Sequence, residues 1–159
     1  MPAPLATAVT AACQQVVSLH LTAIEFYTLA SAHFGRIGYP VLSKRFAADV
    51  AEEREHLDAV LGRLEFFWVP PEMTHTPGAA PGDNVPEFLR SALALENAAA
   101  AAERTAVAAA RLAGDEGTAV ALTPLLQGSE GAILALEGDL YAIGQIGPDN
   151  WLANQTIGG

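Results

Sequence analysis

Glu53 and His56 form an E-x-x-H pair inside a long segment with helical periodicity. At a spacing of i, i+3, both side chains project from the same face of a helix. That face is a stripe of residues at steps of three or four: Leu42, Phe46, Asp49, Glu53, His56, Val60, Leu64 and Phe67. Three ionisable groups in an apolar stripe are costly unless something pairs or coordinates them. The pattern therefore indicates a bound cation.

Two further ionisable residues lie on inward lines of predicted helices. His20 interrupts the apolar stripe of the first helix, and Glu96 lies on the line Leu89, Ala92, Glu96, Ala99 of the third. A lone core histidine is usually only hydrogen-bonded, but a buried glutamate without a partner is rare. Three helices thus offer inward ligands at comparable depth. We predict a metal site made of His20, Glu53, His56 and Glu96.

The fourth predicted helix offers no strong ligand at this level. Its inward position is Ser129, and Glu130 lies about 100° around the helix, where we expect it to be exposed. Ala132 stands three residues after Ser129. Di-iron helix bundles carry E-x-x-H on two helices and a further Glu on each of the other two. The sequence retains one half of such an arrangement.

The rest of the chain supplies the helices that would hold these residues. We predict one all-α domain over 1–159, with helices at about 5–34, 41–68, 86–113, 115–144 and 148–155. A long connection rich in Pro and Gly separates the second helix from the third. Two hairpins joined by a single long crossover are typical of a ferritin-like four-helix bundle. The last segment is predicted to be a short C-terminal helix.

Charge and composition restrict the partners. The formal net charge is −10 at pH 7, which argues against nucleic acid or an anionic membrane surface as a partner. The single Cys13 is expected to be a buried thiol and excludes a disulfide scaffold. No uninterrupted apolar stretch is long enough to span a bilayer. We therefore expect a cytoplasmic protein.

Five stretches of the sequence resemble bacterioferritin. They are LTAIEFY at 21–27, EEREHLD at 52–58, FLRSALALE at 88–96, LEGDL at 136–140 and GPDNWL at 147–152. Bacterioferritins store iron in hollow shells of twenty-four subunits, oxidise Fe(II) at a di-iron centre, and can hold haem between paired subunits. The resemblance implies a homo-oligomer, possible mixing with a complete bacterioferritin subunit, and a role in iron storage.

The resemblance also assigns the ligand positions. Glu53, His56 and Glu96 match family ligands, whereas His20 stands where the family has a Glu. Ser129 and Ala132 stand where it has a bridging Glu and a second His. The resemblance therefore implies a degenerate centre that retains one half of its ligands.

Four neighbouring residues receive roles from the same resemblance. Arg54 stands where a Met binds haem, so haem is not expected. Tyr27 matches an aromatic residue close to the site. Glu52 falls at a position associated with ion passage through the shell, and we extend that role to Asp49.

The remaining ligands favour one metal ion over two, because two carboxylates balance a single divalent cation. A two-histidine, one-carboxylate set suits iron or zinc. Four interpretations stay open: a storage subunit with weakened ferroxidase activity, a structural subunit mixed with an intact chain, a mononuclear non-haem iron enzyme, or a hydrogen-bonded cluster without metal. Glu103 shares the face of Glu96, but the two lie about 10 Å apart along the helix. They cannot bind one ion together, and the sequence assigns Glu103 no role.

Overall fold

The computed structural model describes residues 4–72, 74 and 84–156, and in this part of the chain it contains helices and no strand. The helices are α1 (Thr7–Arg36), α2 (Pro40–Phe66), α3 (Val85–Leu112), α4 (Glu116–Ile146) and the short α5 (Pro148–Ala153). Helix α1 packs against α2 and α3, and α4 packs against α3 and less extensively against α2. The predicted all-α, ferritin-like four-helix bundle with a short C-terminal helix is confirmed.

The helices begin and end where local side chains favour it. At the start of α3, the Asn84 side chain accepts a hydrogen bond from the backbone N–H of Glu87 at 3.0 Å. Asp115 caps α4 in the same way, accepting from the N–H of Thr118 at 3.0 Å. Gly114, with φ 72°, provides the left-handed turn that separates α3 from α4. These caps make α3 and α4 an antiparallel hairpin with a fixed short turn.

The core consists of two apolar clusters. One lies toward α5 and contains the buried aromatic rings, and there Phe46 stands 5.5 Å from Phe34 and 5.2 Å from Phe88. The other is aliphatic and includes Val9, Cys13, Val60, Leu64 and Leu122. Along each of the four long helices, the residues between the two clusters include buried polar side chains. The bundle therefore holds a polar layer near its middle.

Helix α4 carries apolar residues on its outer surface as well as in the core. Val120, Leu134 and Tyr141 are exposed. By length and composition, α4 could cross a membrane, since an 18-residue window has a mean hydropathy of 1.3. One such helix is weak support for a membrane span, because core helices of soluble proteins have the same property. In this structure α4 lies along α3.

Cys13 provides a chemical test of this core. Burial, with the charge of Asp115, raises the pKa of its thiol from 9.0 to about 11, although Arg63 opposes the shift. At pH 8 the fraction of reactive thiolate is then lower by about 100-fold than in an unfolded chain. We expect negligible reaction with a disulfide reagent in the native protein and full reaction in denaturant. Rapid native labelling at pH 8 would contradict the packing of α1.

Candidate metal centre

The polar layer brings together side chains from all four long helices. His20 comes from α1, Glu53 from α2, Glu96 and Glu103 from α3, and Ser129 from α4, and all five are buried. His56 of α2 lies beside them with a side chain that is 12% exposed. Since each residue interrupts an apolar stripe, the burial of the stripes forces these polar groups into the core. The E-x-x-H pair and His20 therefore meet inside the bundle.

His20 lies between two carboxylates. Its Nδ1 donates a hydrogen bond to Oε2 of Glu53 at 2.6 Å, and its Nε2 lies 3.1 Å from Oε1 of Glu103. This second contact is a buried ion pair. Burial alone would lower the pKa of His20, but the carboxylates of Glu103 and Glu53 raise it to about 9. Without a metal, the positive charge of protonated His20 balances the carboxylates of Glu53 and Glu103.

Three buried ligand atoms in the layer have no hydrogen-bond partner: Nε2 of His20, Nδ1 of His56 and Oε2 of Glu103. In the part of the chain that the structure describes, His20, His56 and Glu103 also form a group in which one ligand atom from each lies within 4.8 Å of the others. Two imidazole nitrogens and a carboxylate oxygen are a donor set for Fe(II), Zn(II) and similar ions. The unpartnered atoms thus fit a metal.

His56 lies at the edge of this group, next to α4. Its Nε2 is 3.8 Å from Oε1 of Glu52, and its Nδ1 is 3.9 Å from Oε1 of Glu53. Gly128 of α4 faces the ring, and a Cβ at that position would lie 2.7 Å from Cε1 of His56. Such a contact is shorter than real Cβ atoms make. The glycine therefore leaves the space that the imidazole occupies.

Glu96 has a different partner. The hydroxyl of Tyr27 donates a hydrogen bond to Oε1 of Glu96 at 2.5 Å. Burial, together with the negative charge of Glu53, raises the pKa of Glu96 to about 8, although the hydrogen bond opposes the shift. Burial and the neighbouring Glu96 also raise the pKa of Tyr27 above its usual value. Burial therefore favours the neutral, protonated form of Glu96 in this pair, unlike the ion-paired group around His20.

Helix α4 contributes a hydroxyl and open space at this level. Ser129 is buried, as its position in the stripe predicts, and donates to Oε1 of Glu103 at 3.3 Å. Glu130 is exposed and pairs with Arg104 at 3.2 Å. Ala132 lines a cavity of about 340 Å³ between α2 and α4. The helix thus adds no carboxylate or imidazole to the layer.

The cavity is lined by three further residues to which the sequence analysis gave roles. Tyr27, Asp49 and Glu52 line it, and Glu52 is exposed at its edge. Burial, with the charges of Glu52 and Glu53, raises the pKa of Asp49 to about 6 against the effect of Arg45. Arg54 is exposed. The predicted role in ion passage stays a prediction, and the cavity gives Asp49 and Glu52 a common solvent-facing space.

Glu103 is the residue that sequence reasoning left without a role. Its side chain is fully buried on α3, seven residues after Glu96. The structure groups His20 and His56 with Glu103, while Glu53 contacts both histidines. The available signal was a second glutamate on the inward line of the third helix. Helical periodicity does not show which residue on the inward line of α3 lies at the same level of the bundle as His20.

A comparison with protein families agrees with the fold. The family model of the ferritin-like domain matches residues 10–138. The match extends from the first turn of α1 into the second half of α4, and it includes every residue of the polar layer.

Proposed function

The chain belongs to the ferritin-like domain family, and we propose that it is a bacterioferritin-like shell subunit for iron binding and storage with one metal ion in its core. Iron binding and storage are the general activities of the family. We propose a single ion because this chain retains only part of the ligands of a two-metal centre.

One observation carries the proposal: α1, α2 and α3 each contribute a ligand residue to the polar layer, and α4 contributes none. His20, His56 and Glu103 each have an unpartnered ligand atom and form a group with ligand atoms within 4.8 Å of one another, whereas α4 presents Ser129 and Ala132. Two ions so close together need several carboxylates to balance their charge. A single divalent ion needs fewer ligands and is compatible with a two-histidine, one-carboxylate set. This supports one metal ion in each chain, with iron preferred and zinc as the alternative.

The chemistry expected of this chain is slow oxidation at most. A single Fe(II) supplies one electron, whereas a pair of irons can reduce oxygen by two electrons in one event. The protein residues would hold the ion: Glu53 fixes the ring of His20, and Gly128 gives His56 its space. Asp49 and Glu52 offer negative charge beside the cavity, where an incoming cation is favoured. Binding and storage are therefore better supported than rapid ferroxidase activity.

Assembly is the second part of the proposal. Members of the family generally form oligomers. Val120, Leu134 and Tyr141 of α4 are exposed apolar side chains. They support burial of this helix in a subunit contact, because removing apolar surface from water is favourable. We propose self-association in the cytoplasm into a closed shell, with twenty-four subunits as the expected number. The absence of α4 ligands also favours a mixed shell in which a complete subunit oxidises the iron.

The test is anaerobic Fe(II) titration of the metal-stripped protein. We expect one tightly bound iron for each chain, and none in His56→Ala. His33→Ala is the matched control, because His33 is an exposed histidine of α1 outside the polar layer. Light scattering on the same samples reports the size of the assembly. Two tight irons in the wild type, or none, would contradict the proposal of a single-metal site.

A further inference from the structure

We infer that the metal ion is held by Nε2 of His20, Nδ1 of His56 and the carboxylate of Glu103, and that Glu53 acts as the partner that orients His20. This assignment rests on the proposed function and specifies its site. It differs from the ligand set that the sequence predicts in two ways. Glu103 takes the place of Glu96, and Glu53 hydrogen-bonds the ligand His20 in place of binding the metal itself. The centre would then lie farther along α3 than the bacterioferritin resemblance implies.

The first argument is the set of unpartnered atoms. A buried polar atom without a partner costs about 1–3 kcal/mol, so proteins rarely leave one unsatisfied. Here three occur together, one on each of α1, α2 and α3. Each belongs to a residue of the group whose ligand atoms lie within 4.8 Å of one another. A cation among them would satisfy all three atoms.

The second argument is the orientation of His20. Its Nδ1 is already used in the 2.6 Å hydrogen bond to Glu53. Only Nε2, on the opposite side of the ring, is free to bind a metal, and it faces Glu103 at 3.1 Å. Metal-binding histidines commonly donate their other ring N–H to a carboxylate, which fixes the ring and increases its basicity. Glu53 occupies this supporting position.

The third argument separates the two glutamates of α3. Glu96 accepts the hydrogen bond from Tyr27. Glu103 has a fully buried Oε2 with no hydrogen-bond partner, and its Oε1 accepts a hydrogen bond from Ser129 at 3.3 Å and lies 3.1 Å from Nε2 of His20. Seven residues of helix rise separate them by about 10 Å, so one ion cannot contact both. The carboxylate that needs a partner, and that lies beside His20, is Glu103.

The test compares conservative variants of the two glutamates. Glu103→Gln keeps the size of the side chain but removes the charge, and we expect it to weaken anaerobic Fe(II) binding by at least 100-fold. Glu96→Gln is expected to bind iron as the wild type does, because Glu96 is hydrogen-bonded to Tyr27 and lies about 10 Å from Glu103 along α3. Glu137→Gln, at an exposed glutamate of α4, is the neutral control. Absorption of Co(II) bound in place of iron provides a second readout, because its intensity reports the coordination.

A second variant guards against misfolding. Glu103→Asp retains the charge but withdraws the carboxylate by one methylene, so weaker binding in a folded Glu103→Asp protein supports the ligand assignment. If the wild type binds one iron and both Glu103 variants bind it with the affinity of the wild type, the assignment is overturned while the proposed function stands. Loss of binding in Glu96→Gln alone has the same meaning. If the wild type binds no metal, the proposed function itself fails.

Discussion

Replacing His20 by leucine is expected to lower the free energy of unfolding of the metal-free protein by about 3–5 kcal/mol. His20 is fully buried and lies between the carboxylates of Glu53 and Glu103. Leucine fills a similar volume, so the cost comes from charge and not from a cavity. Without the imidazolium, both carboxylates lose their buried counter-charge. Removing one partner of a buried ion pair is far more costly than removing the whole pair.

The double variant His20→Leu with Glu103→Leu isolates this cause. With the unpaired carboxylate of Glu103 removed and only that of Glu53 remaining, we expect part of the lost stability to return. The measurement is thermal unfolding of metal-stripped protein by circular dichroism, where each kcal/mol corresponds to roughly 2–4 °C. A single variant that melts within about 2 °C of the wild type would show that the ion pairs at His20 are absent in solution.

The fold could be predicted because its determinants are local. The apolar stripes of α1 and α2 specify which face of each helix is buried. The short turn at Gly114 makes α3 and α4 neighbours, and the longer connection after Phe66 separates the two hairpins. Each of these features follows from a few consecutive residues. Composition and periodicity were therefore sufficient to derive the bundle.

The contacts among the inward residues could not be derived in the same way. Periodicity places both Glu96 and Glu103 on the inward face of α3, but it contains no information on how far α3 is shifted along α1. That shift decides which glutamate meets His20, and it is set by packing across the bundle. The partner of Glu96 has the same origin, because Tyr27 is 69 positions away in sequence. Sequence reasoning identified which residues face inward, and the structure adds which of them lie in contact.

Gly128 illustrates a signal that the sequence contains but that only the structure explains. A glycine inside a helix costs about 1 kcal/mol relative to alanine, so a reason for its presence is expected. Here that reason is the ring of His56, which occupies the space where a Cβ would lie. Helix α4 therefore affects the site without providing a ligand. The effect of this space on metal binding can be measured by adding a single methyl group at position 128.

Gly128→Ala is expected to weaken Fe(II) binding at least tenfold without lowering the thermal stability. The added Cβ would lie 2.7 Å from Cε1 and 2.8 Å from Nε2 of His56, so the ring must move. Its neighbour on the inner side is the ring of His20, with centroids 5.3 Å apart. Movement therefore changes the position of Nδ1 relative to the other ligand atoms. Displacing a metal ligand in this way costs affinity even though every donor remains.

Gly138→Ala is the matched control, because it adds the same methyl group to the same helix where nothing lies within 4 Å of the new Cβ. Both variants gain about 1 kcal/mol of helix propensity, so both should melt at or above the wild-type temperature. Isothermal titration with Fe(II) under argon then measures only the effect on the site. Equal affinity in the two variants would mean that the position of the His56 ring does not determine metal binding. Weaker binding in Gly128→Ala alone places His56 in the site independently of any change to its own side chain.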